Sequence, residues 1–173
     1  MEPLAVCLAG EYDIWDKRDP NAELFQHGLR SRELTPEIWA RLLGDAQDPK
    51  DDETVLDLLN GGEVLQYART KENESVIKTA GFTCQWEGLT FLCCNAARYN
   101  PQLFTAGVKP EHDALLGFAW RGDKWTVSLY HAPGKEHHDL SLIAVKHGGG
   151  GHRGACGFRP KTLPFLEPQK PTT

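Results

Sequence analysis

No stretch of the chain approaches the ~20 consecutive apolar residues that a membrane-spanning helix needs, so no membrane partner is expected. A C-x-x-C pair is also missing. The five cysteines are odd in number, and only Cys93 and Cys94 stand side by side. That argues against a disulfide framework or a zinc site and for reduced, buried thiols in the cytoplasm. Basic charge is scarce, with 19 Lys and Arg against 24 Asp and Glu, leaving a net charge of −5. That argues against a protein whose whole surface grips long duplex nucleic acid and does not exclude a local basic pocket for a short oligonucleotide. The first residues carry Glu2 and Pro3 with no basic segment, which speaks against a secretory signal.

What is present suits one domain, or a small domain with an appended segment: 173 residues, 40% of them hydrophobic. Leu24, Phe25 and Leu29 lie at helical spacing. Thr35-Pro36 reads as an N-cap with Pro at the first helical position, opening a helix through Ile38, Trp39, Leu42 and Leu43 that Gly44 stops. Residues 45–52 read as a polar loop. Val55, Leu58, Leu59, Leu65 and Ala68 then describe an amphipathic helix reaching Ile77, which Gly61-Gly62 weakens by roughly 1–2 kcal/mol.

Beyond Ala80 the period changes to two. Residues 82–86 and 89–96 form a hairpin turning at Glu87-Gly88, 101–104 start a short helix, and 114–120 and 125–130 are further strands. The order β-β-α-β-β-α-β predicts an α+β fold, a mixed sheet of about five strands with flanking helices, preceded by a helical segment. The expected division is 1–80, mostly helical; 81–165, the sheet domain; and 166–173, a Pro-rich tail.

The densest signal is DLSLIAVKHGGGGHRGACGF, residues 139–158. An amphipathic segment with Leu140, Ile143, Ala144 and Val145 runs into Gly148, Gly149, Gly150 and Gly151, then His152 and Arg153. Glycines permit φ > 0 and bring main-chain N–H groups close to a ligand. Read as a helix start, the small-residue stretch that follows would set His152 and Arg153 where an anion is already favoured. The chemistry that fits is a phosphate seat with one imidazole and one guanidinium. A flexible linker is the plainer alternative, but linkers are padded with Ser and polar residues, and this run is closed in by apolar ones.

Ile143-Ala144 followed by the four glycines and His152, then a small pair and Gly157-Phe158, resembles the substrate-binding domain of the DHH family of phosphoesterases. That family includes oligoribonucleases that degrade nanoRNA, single-strand exonucleases and cyclic-dinucleotide phosphodiesterases. Strand 125–131 (WTVSLYH) and the lead-in Asp139-Leu140-Ser141 are similar to the family's approach to the glycine loop. The resemblance implies that 81–165 is the substrate-binding domain and 1–80 the end of a catalytic domain plus linker. It implies phosphate or nucleotide binding by Gly148, Gly149, Gly150, Gly151, His152, Arg153, Ser128 and Tyr130, with Arg98 and Arg159 as additions. Many relatives carry an Arg where Tyr130 stands, and Tyr can stack on a base but cannot neutralise charge.

Complete family enzymes use two metal ions, usually manganese; manganese or magnesium is therefore implied for a complete enzyme but not for this chain alone. Here Asp-His-His and an early D-x-D are missing, and no catalytic residue is assigned. In GEYDIWD (10–16), Glu11 and Asp13 are the metal-ligand positions, though the first acidic place is Glu and not Asp; otherwise the segment is a polar turn with its aromatics packed inward. His137-His138-Asp139 reads as solvated histidines beside an N-capping Asp139. His27, His112, His131 and His147 show no ligand spacing.

The function expected is binding of the phosphate and terminal nucleotide of a short oligonucleotide or a (cyclic) dinucleotide, without cleavage by this chain alone. A binder that sequesters such ligands, and a phosphodiesterase completed by a partner subunit, are the alternatives. A catalytic DHH subunit and a second copy of the chain (a homodimer) are the protein partners considered.

Overall fold

The computed structural model describes residues 2–14, 18–44 and 49–166. Among them lie helices α1 (Leu4–Asp13), α2 (Asn21–Leu29), α3 (Pro36–Leu42), α4 (Pro49–Ala80) and α5 (Leu140–Lys146). The strands are β1 (Gly81–Trp86), β2 (Leu89–Asn95), β3 (Ala114–Trp120), β4 (Trp125–His131), β5 (Gly150–His152) and β6 (Ala155–Phe158), with a 3-10 turn at Pro101–Phe104. This is the α+β mixed sheet expected, with a helical segment before it. The loop expected over 45–52 ends sooner, because α4 begins at Pro49; residues 45–48, and the Pro-rich tail apart from Leu166, lie outside the described residues. No helix among the described residues is long and apolar enough to cross a membrane.

Two compact units divide between Lys71 and Glu72, inside α4 and not at 80/81. The last turns of α4 fall with the sheet because Val76, Ile77 and Ala80 pack among its residues. In the helical unit, Ala5, Leu8, Phe25, Leu42, Val55 and Leu58 form the core. Thr35 caps α3, its hydroxyl accepting from the Ile38 N–H at 3.4 Å. Gly62 is more than a weak point of α4: a Cβ there would overlap the Leu24 main chain, and one at Gly28 would overlap that of Leu58. The two glycines let α2 and α4 meet backbone to backbone.

In the sheet unit the strand order is β1-β2-β3-β4-β6-β5. Only β2 and β3 pair in parallel; the other neighbours are antiparallel. Glu87 and Gly88 both have positive φ, 50° and 77°, the backbone that a two-residue hairpin turn requires. Side chains alternate between the faces. One face carries Trp86, Phe91, Leu116, Phe118, Val127, Leu129 and Phe158 against Leu140 and Ala144 of α5. The other carries Leu92, Cys94 and Leu115 against Ile77, Leu103 and Phe104. All five thiols are free; Cys93, Cys94 and Cys156 are buried, whereas Cys7 is exposed, contrary to the expectation of buried thiols throughout.

Phe91 is fully buried at the centre of the α5 face, whereas Leu142 on α5 is 67% exposed. Phe91→Ala should therefore cost the sheet unit about 3–5 kcal/mol in urea unfolding. Leu142→Ala should stay within about 0.5 kcal/mol of the parent.

Candidate functional site

The site begins at α5. Asp139 caps it as expected, accepting from the Ser141 N–H at 3.1 Å and the Ser141 hydroxyl at 2.5 Å. At its other end the Gly148 N–H donates to the Val145 carbonyl (3.0 Å) and the Gly149 N–H to that of Ala144 (2.8 Å), with Gly148 at φ 77°. This left-handed cap satisfies the carbonyls that end the helix. It corrects the expectation that all the glycine amides await a ligand: those of Gly148 and Gly149 are taken by the chain itself.

No helix starts after the run. Residues 150–152 and 155–158 pair as a hairpin with its turn at Arg153-Gly154, so the sheet has six strands where about five were expected. The physical reason lies in β6, whose Cys156 and Phe158 alternate into the α5-side core at a period of two. A Cβ on Gly149 would overlap the Gly157 carbonyl and Phe158. Gly151, at φ 136°, is held against Cys156.

Two residues beyond the motif fix this turn. Glu87 receives the Lys146 ammonium (2.6 Å) on one oxygen and His147 Nε2 (3.0 Å) on the other. The His147 ring stacks on Phe158, centroids 5.0 Å apart, and lies 4.9 Å from Trp86. Burial pushes the Glu87 carboxyl up, but the hydrogen bonds from Lys146 and His147 outweigh it and hold the group below the ordinary glutamate range. His147, assigned no role from its spacing, is thus a structural partner of the glycine turn. Basic residues in the last turn of a helix were the available signal.

On the face away from α5, the register aligns Gly117, Ser128, Gly157 and Gly150 across four strands. The result is a trough nearly free of side chains. The next row holds Tyr130, Ala155 and His152. A cavity of about 720 Å³ opens here, lined by Ser128, Tyr130, Gly148, Gly149, Gly150 and Gly151 together with Thr126, Gly157, Lys124 and Arg159. At the inner end of the trough Tyr99 lies over Gly117, where a Cβ would overlap its ring. The Tyr99 hydroxyl donates to the Thr126 carbonyl at 3.1 Å and meets the Ser128 side chain. Burial, against the opposing Ser128 hydrogen bond, pushes the phenol up and keeps it a neutral donor. The sequence reading missed Tyr99, although an isolated glycine inside a strand signals close approach.

The expected site residues therefore separate. Ser128, Tyr130 and the four glycines share the cavity; His152 is exposed on the same face, at the sheet edge beyond Ala155. Arg153 is not brought to the cavity, since its guanidinium donates to the main-chain carbonyls of His137 (2.6 Å) and His138 (3.4 Å). His138 is half-buried 3.7 Å from Asp113, and His131, also half-buried, meets the His138 carbonyl at 2.8 Å; His137 is exposed. His27 and His112 are buried, the latter held by the Lys109 N–H and Thr83.

A metal-ligand role for Glu11 and Asp13 finds no supporting donor set among the described residues. Both lie on α1, not on a turn. Glu11 accepts from the Asp19 N–H at 2.8 Å, and Asp13, two residues on, is exposed on a different side of the helix. No group of three His, Cys, Asp or Glu there could hold a metal ion; Asp16 lies outside the described residues. The described residues do not fit a two-metal centre.

Gly150 stands apart from its neighbours. It lacks a positive φ, and a Cβ there would meet nothing within 4 Å. The fold needs glycine at 148, 149 and 151 but not at 150. Gly149→Ala should destabilise the sheet unit by about 1–3 kcal/mol, and Gly150→Ala should change it by less than about 0.5 kcal/mol, both read from urea midpoints. Glu87→Gln should remove a pH-dependent contribution. With its carboxyl held low in the folded state, Glu87 stabilises fully above about pH 4.3 and loses the effect as pH falls through the lowered value. The stability difference between parent and Glu87→Gln should shrink over that acid window.

No protein-family model matches the chain, and no curated protein does. Solved structures do show similarity. A pGpG-specific phosphodiesterase, PggH of Vibrio cholerae, is 13% identical over 88% of this chain and 60% of its own, with a TM-score of 0.46. An uncharacterized protein of Helicobacter pylori G27 is 16% identical over 92% and 54%, with a TM-score of 0.41. A DHH domain from a protein described as belonging to a family of ribosomal proteins is 14% identical over 87% and 41%, with a TM-score of 0.49. The chain thus spans between 41% and 60% of the length of these three. At such identities and TM-scores the likenesses carry no functional conclusion.

Proposed function

We propose that the sheet unit is a nucleotide-binding domain of the kind found in DHH phosphoesterases, seating the phosphate and terminal nucleotide of a short oligonucleotide or (cyclic) dinucleotide. Gly150 carries this reading: a residue whose missing side chain serves no internal contact, facing a cavity floored by Ser128 and Gly157. β5 ends the sheet order, so alternate main-chain groups of this edge are free of a neighbouring strand among the described residues. The phosphate is taken by that edge, the Ser128 hydroxyl and the His152 imidazole, with Tyr130 offering a ring to the base. Neither Arg153 nor the amides of Gly148 and Gly149 take part.

None of the described residues lining the cavity is a carboxylate, and the single imidazole beside it, that of His152, has no acidic partner with which to hold a catalytic metal. Binding is thus the chemistry of this site, and phosphodiester cleavage belongs to a metal-bearing partner domain or subunit. Five free thiols suit a reducing compartment such as the cytoplasm.

Calorimetric titration with a 5′-phosphorylated dinucleotide, with and without manganese, tests the proposal. The expected result is metal-independent binding with the ligand recovered intact. His152→Ala should lose about 1.5–3 kcal/mol, the range for a hydrogen bond to a charged group. Gly150→Val, folded like the parent, should lose at least as much. Unchanged affinity in both variants, or no binding by the parent, would overturn it. Manganese-dependent release of mononucleotides would instead assign cleavage to this chain.

A further inference from the structure

We propose that Cys84 and Cys93 are an oxidisable dithiol, which a low-molecular-weight disulfide of the glutathione class converts to an intramolecular disulfide across the β1–β2 hairpin. The inference stands apart from the cavity and does not depend on what the cavity binds.

The two Sγ atoms lie 3.0 Å apart. Cys84 faces Phe91 and Cys93 faces Phe82, so the pair is diagonal, on the α5 side of the hairpin. A disulfide is about 2.05 Å long, so the sulfurs must close by about 1 Å. β1 ends the sheet order and pairs only with β2 among the described residues, which leaves it free to take up that movement.

No other cysteine is placed to compete. Cys94 belongs to the opposite face of the sheet. Cys156 shares the row of Cys93, but Leu116 and Leu129 stand between them, a separation of three strand spacings or about 14 Å. Cys7 lies in the helical unit.

The two thiols differ in access, and this assigns their order of reaction. Cys84 is half-buried on the edge strand, whereas Cys93 is wholly buried, so a small oxidant meets Cys84 first. The hydrogen bond from the Cys93 thiol outweighs burial and lowers the Cys84 group from the ordinary thiol value. The same contact, together with burial, raises Cys93. The thiolate is the attacking species, so charge and access both favour Cys84.

In the first step the Cys84 sulfur attacks the oxidant, forming a mixed disulfide and releasing one thiol. Cys93 then attacks the Cys84 sulfur, and the second thiol leaves. One S–S bond forms in the protein and one breaks in the oxidant; two electrons pass to the oxidant, and the two cysteine protons end on the released thiols. The product encloses residues 84–93, and with them the Glu87-Gly88 turn whose carboxylate holds Lys146 and His147. Oxidation would thus pin the hairpin that supports the glycine turn.

The test uses the full chain carrying Cys7→Ser, which removes the exposed thiol and touches neither partner. It is equilibrated in glutathione buffers stepped from reduced to oxidised, quenched with acid, unfolded, alkylated and weighed by mass spectrometry. At the oxidised end two alkylatable thiols per chain should be lost with no glutathione added, and dithiothreitol should restore both. Cleavage after Glu87 should then give two peptides joined through Cys84 and Cys93, with Cys94 alkylated. Adding Cys93→Ser should leave a glutathione adduct on Cys84, and adding Cys84→Ser should leave Cys93 unmodified. A chain that keeps all its thiols at the oxidised end, or whose linkage joins other cysteines or two chains, overturns the proposal. Should Cys93→Ser fail to fold, the linked peptides and the Cys84→Ser variant still decide it.

Discussion

The structure around the site depends on the contact of main chain on main chain at Gly149. There the chain leaves α5 and lies directly against the Gly157 carbonyl and Phe158, with no room for a Cβ. Within a few residues the backbone must cap a helix, reverse hand at Gly148 and enter an edge strand. Only glycine does this without strain. The cap uses two of the run's amides, and the chain that emerges is a sheet edge and not a helix start. Anion recognition at this place therefore draws on an edge strand and neighbouring side chains.

Rigidity comes from outside the motif. Glu87, itself in a left-handed backbone at the β1–β2 turn, clamps Lys146 and His147, while Phe158 and Trp86 hold the His147 ring. Arg153 ties the hairpin turn to the carbonyls of His137 and His138. These polar groups position the glycine turn without entering the cavity. β4 performs the complementary division: Val127 and Leu129 go to the α5-side core, and Ser128 and Tyr130 to the cavity. A slip of one residue in its register would exchange the two sets.

A trough floored by glycine and serine, closed by a half-buried tyrosine and flanked by cations, is suited to holding a flat, charged ligand and poorly suited to activating water. On a chain with a net charge of −5, the few unpaired positive groups at the cavity set where an anion gains most.

Much of the fold was legible in the sequence. The change of period after Ala80, the Glu87-Gly88 turn, the Thr35 and Asp139 caps and strands 114–120 and 125–130 follow from local rules and reappear in place. Glycine at 148 also follows from local rules, since ending a helix left-handed is a property of the chain itself. Which amides remained free, that Arg153 serves the hairpin turn, that Tyr99 roofs Gly117 and that Lys124 and Arg159 line one cavity were decided only by tertiary structure. Each depends on strands or loops far apart in sequence being set side by side by the burial of Phe91, Phe118, Leu129 and Phe158, and no local pattern encodes that register.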